Sequence, residues 1–480
     1  MGGGTVFNAV WLLSILPEGL LLILALVVLG VDLALPAERK RSLGIWTAAG
    51  LLIVLVASFL WPASRGPAFG GMVRVDSVGQ VFRAVFLLGG ILVALMSMDF
   101  RPLPQDGPYY GVLLFSLLGM CLMAVAENLV MLYVAIELTS ISAYILVGYL
   151  RETPLSSEAG LKYFLFGAFT SAVMLYGLSL LYGTTGGIGY EQVAAALTEA
   201  PFSLAMVGFL MVVVGLGFKV AMVPMHFWTP DVYQGAPTPI TAFISVASKA
   251  AGFAVLVRAL HFLFPALEGE WVALVVAISM VTMTLGNLFA IPQRNIKRML
   301  AYSSVAQAGY ILIGVAAASR LGVAAMAFYL IVYTVTNIAA FGVVVLVSNL
   351  TGSEEINTFA GLSRRSPFLA WSLMIALFSL GGVPPFGGFV GKLFLFAGAV
   401  QSGLIALAVV GVLNVIVSLY YYLNVVKVAF ERRSEQEDEP LPVPVPSRWV
   451  LGFTMAAIVL LGVLGAPIFN LVWRASAAWF

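Results

Sequence analysis

About fourteen apolar stretches, each near the length needed to cross a bilayer, follow one another along this chain with polar loops between them. A helix needs about 20 apolar residues to span the hydrocarbon core. Hydrocarbon offers no hydrogen-bond partner, so a backbone inside it must satisfy its own N–H and C=O groups, as a helix does. The stretches cover residues 9–30, 43–61, 78–97, 109–126, 129–149, 159–183, 204–224, 240–263, 271–290, 299–318, 321–349, 368–400 (broken), 403–427 and 449–472. Only 10% of the residues are charged, against about 25% in an average soluble domain. The expected fold is therefore an all-α polytopic membrane protein with lipid as its solvent. Residues 188–200, with Glu191 and Glu199, read as a short surface helix.

Other classes fall away quickly. A net charge of +2 gives no basic surface for nucleic acid. The single cysteine, Cys121, cannot form an internal disulfide and reads as a small core residue. With His226 and His261 as the two histidines, no metal or iron–sulfur ligand set is visible. No glycine-rich nucleotide motif follows a strand. The first apolar run has no basic residue before it and contains Glu18, unlike a signal peptide. Met1–Thr5 has the look of a myristoylation start, but Val6 breaks the motif.

Basic residues favour cytoplasmic loops. One set of loops holds fifteen, among them Arg39, Lys40, Arg41, Lys162, Lys297, Arg298 and Arg448. The other holds five: Arg65, Arg74, Arg258, Arg320 and Arg474. The expectation is a multi-pass protein of the cytoplasmic membrane with both termini on the outer side. The loop Glu431–Arg448, charged and then proline-rich, reads as a solvated, semi-extended connector.

Four charges do not fit a lipid solvent. Glu137, Lys219, Lys249 and Lys392 lie within apolar spans. Each costs roughly 2.5–3.5 kcal/mol at the bilayer centre if unpaired. Such groups persist where they pair with each other or line a polar path, and acid and amine at membrane depth are the parts of proton relays. Lys249 follows Pro239 by ten residues, about 15 Å along a helix, which is midplane. Glu18, Asp32 and Arg83 stand nearer helix ends and read as structural, as does Glu127 at an interface. His226 suits a loop role and a proton-entry role equally.

Two spans contain helix-breaking chemistry at depth. One runs Lys219–Pro230 through Pro224; the other runs Gly381–Lys392 through Pro384 and Pro385. Proline removes a backbone donor and clashes with the preceding turn, and interrupted segments in corresponding halves point to an ion path. The broken spans are the seventh and the twelfth. A repeat of five helices crosses the membrane an odd number of times, so its second copy must be inverted. Helices 4–8 and 9–13 are then two inverted units, within an expected division at 1–107, 108–265, 266–430 and 431–480. Between the lysines, Tyr302, Ser303, Ser304, Gln307, Tyr333, Thr334, Thr336 and Asn337 could carry a wet axis.

Several motifs are specific enough to name a family. They are Glu137–Tyr149 (ELTSISAYILVGY), Leu155–Phe164 (LSSEAGLKYF), the run from Gly217 to Lys249 with Thr229–Pro239 (TPDVYQGAPTP), Asn295–Ser304 (NIKRMLAYSS), Gly381–Lys392 and Ile15–Glu18. Together they resemble the antiporter-like subunit N of proton-translocating NADH:quinone oxidoreductase, respiratory complex I, over nearly the whole chain. Subunit M typically has a glutamate where Lys392 stands, and the long lateral helix of subunit L is absent here. Gln307 falls where some relatives have histidine; a glutamine can orient water but cannot take up a proton.

The resemblance implies a relay of Glu137, Lys219, Lys249 and Lys392, with Glu137 paired to Lys219. A candidate path runs through His226, Tyr302, Ser303, Ser304, Gln307, Tyr333 and Thr336. It also implies a bacterial inner-membrane location and other membrane subunits of complex I as partners. No cofactor is expected on this chain; NADH, FMN, iron–sulfur clusters and quinone belong to partner subunits. The alternative is a subunit of a multi-subunit cation/proton antiporter of the Mrp type, which shares the broken helices and lysines. A purely structural scaffold would have no use for four buried ionisable groups.

Overall fold

The computed structural model describes residues 9–60, 66–434 and 439–480. The Met1–Val6 start, Arg65 and residues 435–438 of the proline-rich loop lie outside them. The helices are α1 (Leu16–Ala34), α2 (Leu43–Leu60), α3 (Ser77–Ser97), α4 (Gly107–Val125), α5 (Leu129–Val147), α6 (Pro154–Thr185), α7 (Phe202–Val220), α8 (Thr238–Phe262), α9 (Glu268–Ala290), α10 (Ile296–Ala316) and α11 (Arg320–Thr351). They continue with α12 (Pro367–Gly381, resumed at Gly387–Gln401), α13 (Ile405–Glu431) and α14 (Val445–Val463). Among the described residues thirteen are long and apolar enough to cross a membrane, and the two halves of α12 are shorter apolar helices.

Many helices start where a side chain can satisfy a free backbone donor. Asp76 accepts from Gly79 N at 2.7 Å, Asp106 from Tyr109 N at 3.1 Å and Asn128 from Met131 N at 2.7 Å. Asn295 caps α10 and Ser319 caps α11 in the same way.

Helices α8, α10 and α11 form the centre: α8 is buried at every position from Thr238 to Leu260. Helices α1, α2, α6 and α13 lie at the perimeter and turn residues such as Trp46, Ile53, Phe169 and Ile416 outward. Exposed apolar side chains are what a lipid solvent requires.

Ionisable groups near helix ends are paired, as the sequence suggests. Arg83 meets Glu18 at 2.7 Å, Lys40 meets Asp32 at 2.9 Å, and Glu127 meets Arg74 at 2.8 Å and Arg258 at 3.3 Å. Cys121 is buried, and the surface helix near residue 190 forms as Tyr190–Leu197.

Three features differ from the sequence reading. The fourteenth span is not continuous: it ends at Val463 and a separate helix, Ala466–Ser476, follows. Pro467 lacks the donor needed to extend α14. A two-stranded hairpin, β1 (Gly66–Ala68) with β2 (Val73–Val75), was not legible. The described part of the proline-rich loop is not simply solvated. Leu441 is buried and donates its N–H to the Arg365 carbonyl at 3.0 Å, while the Arg365 Nε donates to the Glu439 carbonyl at 3.1 Å.

The two helix breaks share one backbone design. At the end of α7, Ala221 takes a left-handed conformation (φ 60°), its N–H bonds Phe218 O, and Met222 N bonds Gly217 O. At the end of the first half of α12, Gly382 does the same (φ 74°), with N–H bonds from Gly382 to Ser379 O and from Val383 to Phe378 O. This left-handed cap satisfies two of the carbonyls that a helix end leaves open. A proline follows in each case and prevents continuation. The breaks fall in the fourth helix of each five-helix unit, α4–α8 and α9–α13.

The second half of α12 returns tightly against the first. Gly388 N donates to Ser379 Oγ at 3.1 Å, and a methyl group on Gly388 would overlap the Ser379 carbonyl. Gly388→Ala is expected to destabilise the fold by about 1–3 kcal/mol, the usual range for overpacking. The check is a lower midpoint for heat-induced unfolding of the purified protein; an unchanged midpoint would refute the close approach.

Candidate proton-relay site

Lysines 219, 249 and 392 are 4%, 1% and 3% exposed, so none snorkels to a surface. Among the described residues none of the three makes an ion pair within 4.0 Å. Their partners are hydroxyls, carbonyls and one ring face.

Lys219 sits in the last turn of α7, immediately before the break. Its Nζ donates to Ser140 Oγ at 3.0 Å. Glu137 stands one turn earlier on α5 and accepts a hydrogen bond from Ser171 Oγ. Both line a small space of about 10 Å³ with Ser140, Tyr144, Thr170 and Ser171. That is room for about one water. The direct Glu137–Lys219 pair implied by the resemblance is thus replaced by two groups facing one small cavity, each held by a serine. Glu137 is only half-buried, on the same outward side of α5 as Val134 and Ile141. The stem of Lys219 packs at Gly252, one turn beyond Lys249 on α8.

Lys249 follows a π-helical turn, Ile244–Ser248. Such a turn widens the helix locally and is frequent at functional positions. Lys249 Nζ donates to Ser304 Oγ at 2.6 Å and to the Ser304 carbonyl at 2.7 Å. Tyr333 donates to the same Oγ at 2.9 Å, and the Tyr233 hydroxyl lies 3.1 Å from it. Asn337 joins Tyr333 (2.9 Å) to Ser245 (2.8 Å).

The neighbouring Ser303 faces the other half. Its Oγ shares a 2.5 Å hydrogen bond with the Tyr422 hydroxyl. Gln307 Nε2 donates to Tyr422 at 3.2 Å and to the Leu380 carbonyl at 3.1 Å, while Tyr329 donates to Gln307 Oε1 at 2.5 Å. Lys392 Nζ donates to the same Leu380 carbonyl at 2.7 Å. Leu380 is one of the residues whose carbonyl the α12 break leaves without a helical partner. From Lys249 to Lys392 the polar chain is continuous except for the one peptide unit between Ser304 and Ser303.

Of the sequence candidates, Lys249, Ser303, Ser304, Gln307, Tyr333 and Lys392 are brought together on this axis. Thr336 is beside it: its Oγ1 lies 3.1 Å from Ser379 Oγ at the break. Thr334 bonds the Leu330 carbonyl of its own helix. Tyr302 points away from the axis, half-buried against Phe289. His226 is buried between the α7 break and the short helix Thr229–Gly235, with Nδ1 lacking a hydrogen-bond partner. Sequence reasoning missed Tyr422, Tyr329, Tyr233 and Ser245. Tyr329 carried a signal, since it precedes Tyr333 by one turn and so shares its face.

Two inverted helical units, each broken at membrane depth with a buried lysine by the open end, define an antiporter-like membrane protein. A family model described as NADH:quinone oxidoreductase/Mrp antiporter, TM, matches residues 126–418. "NADH-quinone oxidoreductase subunit N" of Desulforamulus reducens is 42% identical over 451 residues, covering 93% of this chain and 94% of that one. A chain of respiratory complex I from Thermus thermophilus matches with TM-score 0.79 and 31% identity over 95% of this chain and 98% of that chain. A chain of the Mrp complex from Dietzia sp. has TM-score 0.81 at 23% identity, covering 99% of this chain and 98% of that chain, a likeness of fold alone. The chain belongs to the NADH:quinone oxidoreductase/Mrp antiporter membrane family and is a subunit N within it.

The shared cavity predicts energetic coupling. Glu137→Gln, Lys219→Ala and the double variant should be non-additive in coupled activity by about 0.5–3 kcal/mol, the range for residues of one network. Strict additivity in that cycle would mean that the two groups act independently.

Proposed function

We propose that this chain moves protons through Glu137, Lys219, Lys249 and Lys392, driven by electron transfer from NADH to quinone in other subunits of its complex. The observation that carries the reading is the polar chain from Lys249 through Ser304, Ser303, Tyr422, Gln307 and the Leu380 carbonyl to Lys392. It links the two inverted units across the protein centre. Lysine suits the task because, unlike arginine, it can give up its proton when buried. Serine, tyrosine and glutamine can donate and accept in turn.

In this reading protons enter from the cytoplasm near Lys219 or Lys249, with His226 on the entry side, and reach Lys392. The chain is a non-redox subunit of an oxidoreductase, and FMN, iron–sulfur clusters, NADH and quinone are handled by its partners. It lies in the bacterial cytoplasmic membrane with both termini outside. Its parts divide at 1–107, 108–265, 266–430 and 431–480, the middle two being the conducting units. The 42% identity to a subunit N, against 23% to the Mrp chain, favours redox coupling over a free-standing antiporter.

The test is proton translocation and quinone reduction in vesicles holding the assembled complex, at matched assembly. Lys219→Ala should lower pumping roughly tenfold, about 1.4 kcal/mol on the coupled step. Residual pumping at position 392 should rank wild type, then Lys392→Glu, then Lys392→Arg. Full pumping by Lys392→Arg would mean a fixed charge suffices there, and the relay reading of the second unit would have to be given up.

A further inference from the structure

Among the described residues Lys392 has no carboxylate within ion-pair distance, yet it lies at membrane depth. Lys219 has Glu137 across a shared cavity, and Lys249 has both oxygens of Ser304. Lys392 has one carbonyl, that of Leu380, and the face of the Tyr310 ring, whose centroid is 4.4 Å from Nζ. Tyr310 is fully buried. A ring face carries the negative part of the aromatic quadrupole and attracts a cation placed over it, more strongly when both are desolvated.

The ring is held in that orientation from behind. Its hydroxyl accepts a hydrogen bond from Asn287 Nδ2 at 3.3 Å. The same amide donates to Asn414 Oδ1 at 3.0 Å and to the Asn414 carbonyl at 3.1 Å. Asn287 Oδ1 accepts from the Tyr421 hydroxyl at 2.9 Å, and Asn414 Nδ2 donates to Thr284 Oγ1 at 3.2 Å. Five polar side chains from α9, α10 and α13 thus converge on a site with no titrating acid, off the axis described above. Burying that many amide and hydroxyl groups in a membrane protein is unfavourable unless each is satisfied, and here each meets the next.

We infer that the Tyr310 ring is the counter-charge of Lys392, and that Asn287, Asn414 and Tyr421 form the clamp that holds the ring over the ammonium. Tyr310 is a positioning residue. It favours the ammonium at the broken helix end without offering a base that would take the proton and keep it. A carboxylate in its place would trap the proton or fix the charge. The inference rests on the relay reading of Lys392.

The experiment compares Tyr310→Phe and Tyr310→Leu, each with Lys392 and with Lys392→Glu, in vesicles holding the assembled complex. Tyr310→Phe keeps the ring face but removes the hydroxyl that Asn287 grips, so it should lower pumping, and by less than Tyr310→Leu does. Tyr310→Leu removes it and should lower pumping by about three- to thirtyfold, the span expected for a partly to fully desolvated cation–π contact. With Lys392→Glu the sign should reverse, because a ring face repels a carboxylate: leucine at 310 should then pump at least as well as phenylalanine. The same variants, with Lys392→Met as the uncharged reference, are compared for heat-induced loss of the subunit, which needs no pumping. The leucine penalty should shrink when the charge at 392 is removed. An equal penalty for leucine whatever stands at 392, in either measurement, would reduce Tyr310 to packing and overturn the inference. Normal pumping by Lys392→Ala would instead remove the relay reading itself.

Discussion

Two helices end at membrane depth; Lys219 lies in the last turn of one, and Lys392 reaches back to the open end of the other. Hydrocarbon cannot satisfy a free carbonyl, so a break at that depth is tolerated only against protein or water. The left-handed caps at Ala221 and Gly382 close two carbonyls each, and the remainder must find donors. At the second break Lys392 and Gln307 supply them, both at Leu380. The carbonyl end of a helix is also its negative end, which favours a cation by a few tenths to about 2 kcal/mol. At the second break, backbone need and lysine charge therefore solve each other. The rest of the site is built outward from those two helix ends.

The two units reach this arrangement differently. In the first, the lysine belongs to the helix that ends; in the second, it comes from the helix that resumes, and it reaches back to the open carbonyl. The first unit offers an acid, Glu137, at a half-buried position facing outward. The second offers an aromatic ring in the protein interior. α8, α10 and α11 join them, and their near-complete burial keeps the connecting hydroxyls away from lipid.

Much of this was legible in the sequence because lipid imposes strong rules on composition. The spans, the prolines at depth, and lysines 219, 249 and 392 stand out against apolar neighbours. The short motifs then point to the family. What was not legible is contact between distant segments. Ser303 and Tyr422 touch across 119 positions, and Gln307 meets Tyr422 across 115. Tyr422 sits in a run of three tyrosines whose periodicity does not say which one faces inward. Tyr302 is polar and lies between the lysines in sequence, yet adjacent helical residues point about 100° apart, and it faces Phe289 while Ser303 faces the axis. The Glu137–Lys219 pair failed as a direct contact because Ser171 and Ser140 take the nearest positions, a matter of ångströms that no pattern encodes. The apolar run continues past Val463, so hydropathy alone does not mark the end of α14 that precedes Pro467.

The central claim is that the two units form one conducting axis through Gln307, which cannot itself titrate but bridges Tyr422 to the carbonyl that Lys392 also binds. Gln307→Leu keeps the side chain's approximate size and removes both bonds, together with the one it accepts from Tyr329. The decisive measurement is the number of protons translocated per quinone reduced by the complex carrying Gln307→Leu, with assembly verified. A lowered ratio with quinone reduction still running is the result the axis predicts. A wild-type ratio would contradict it and leave the two units as separate devices.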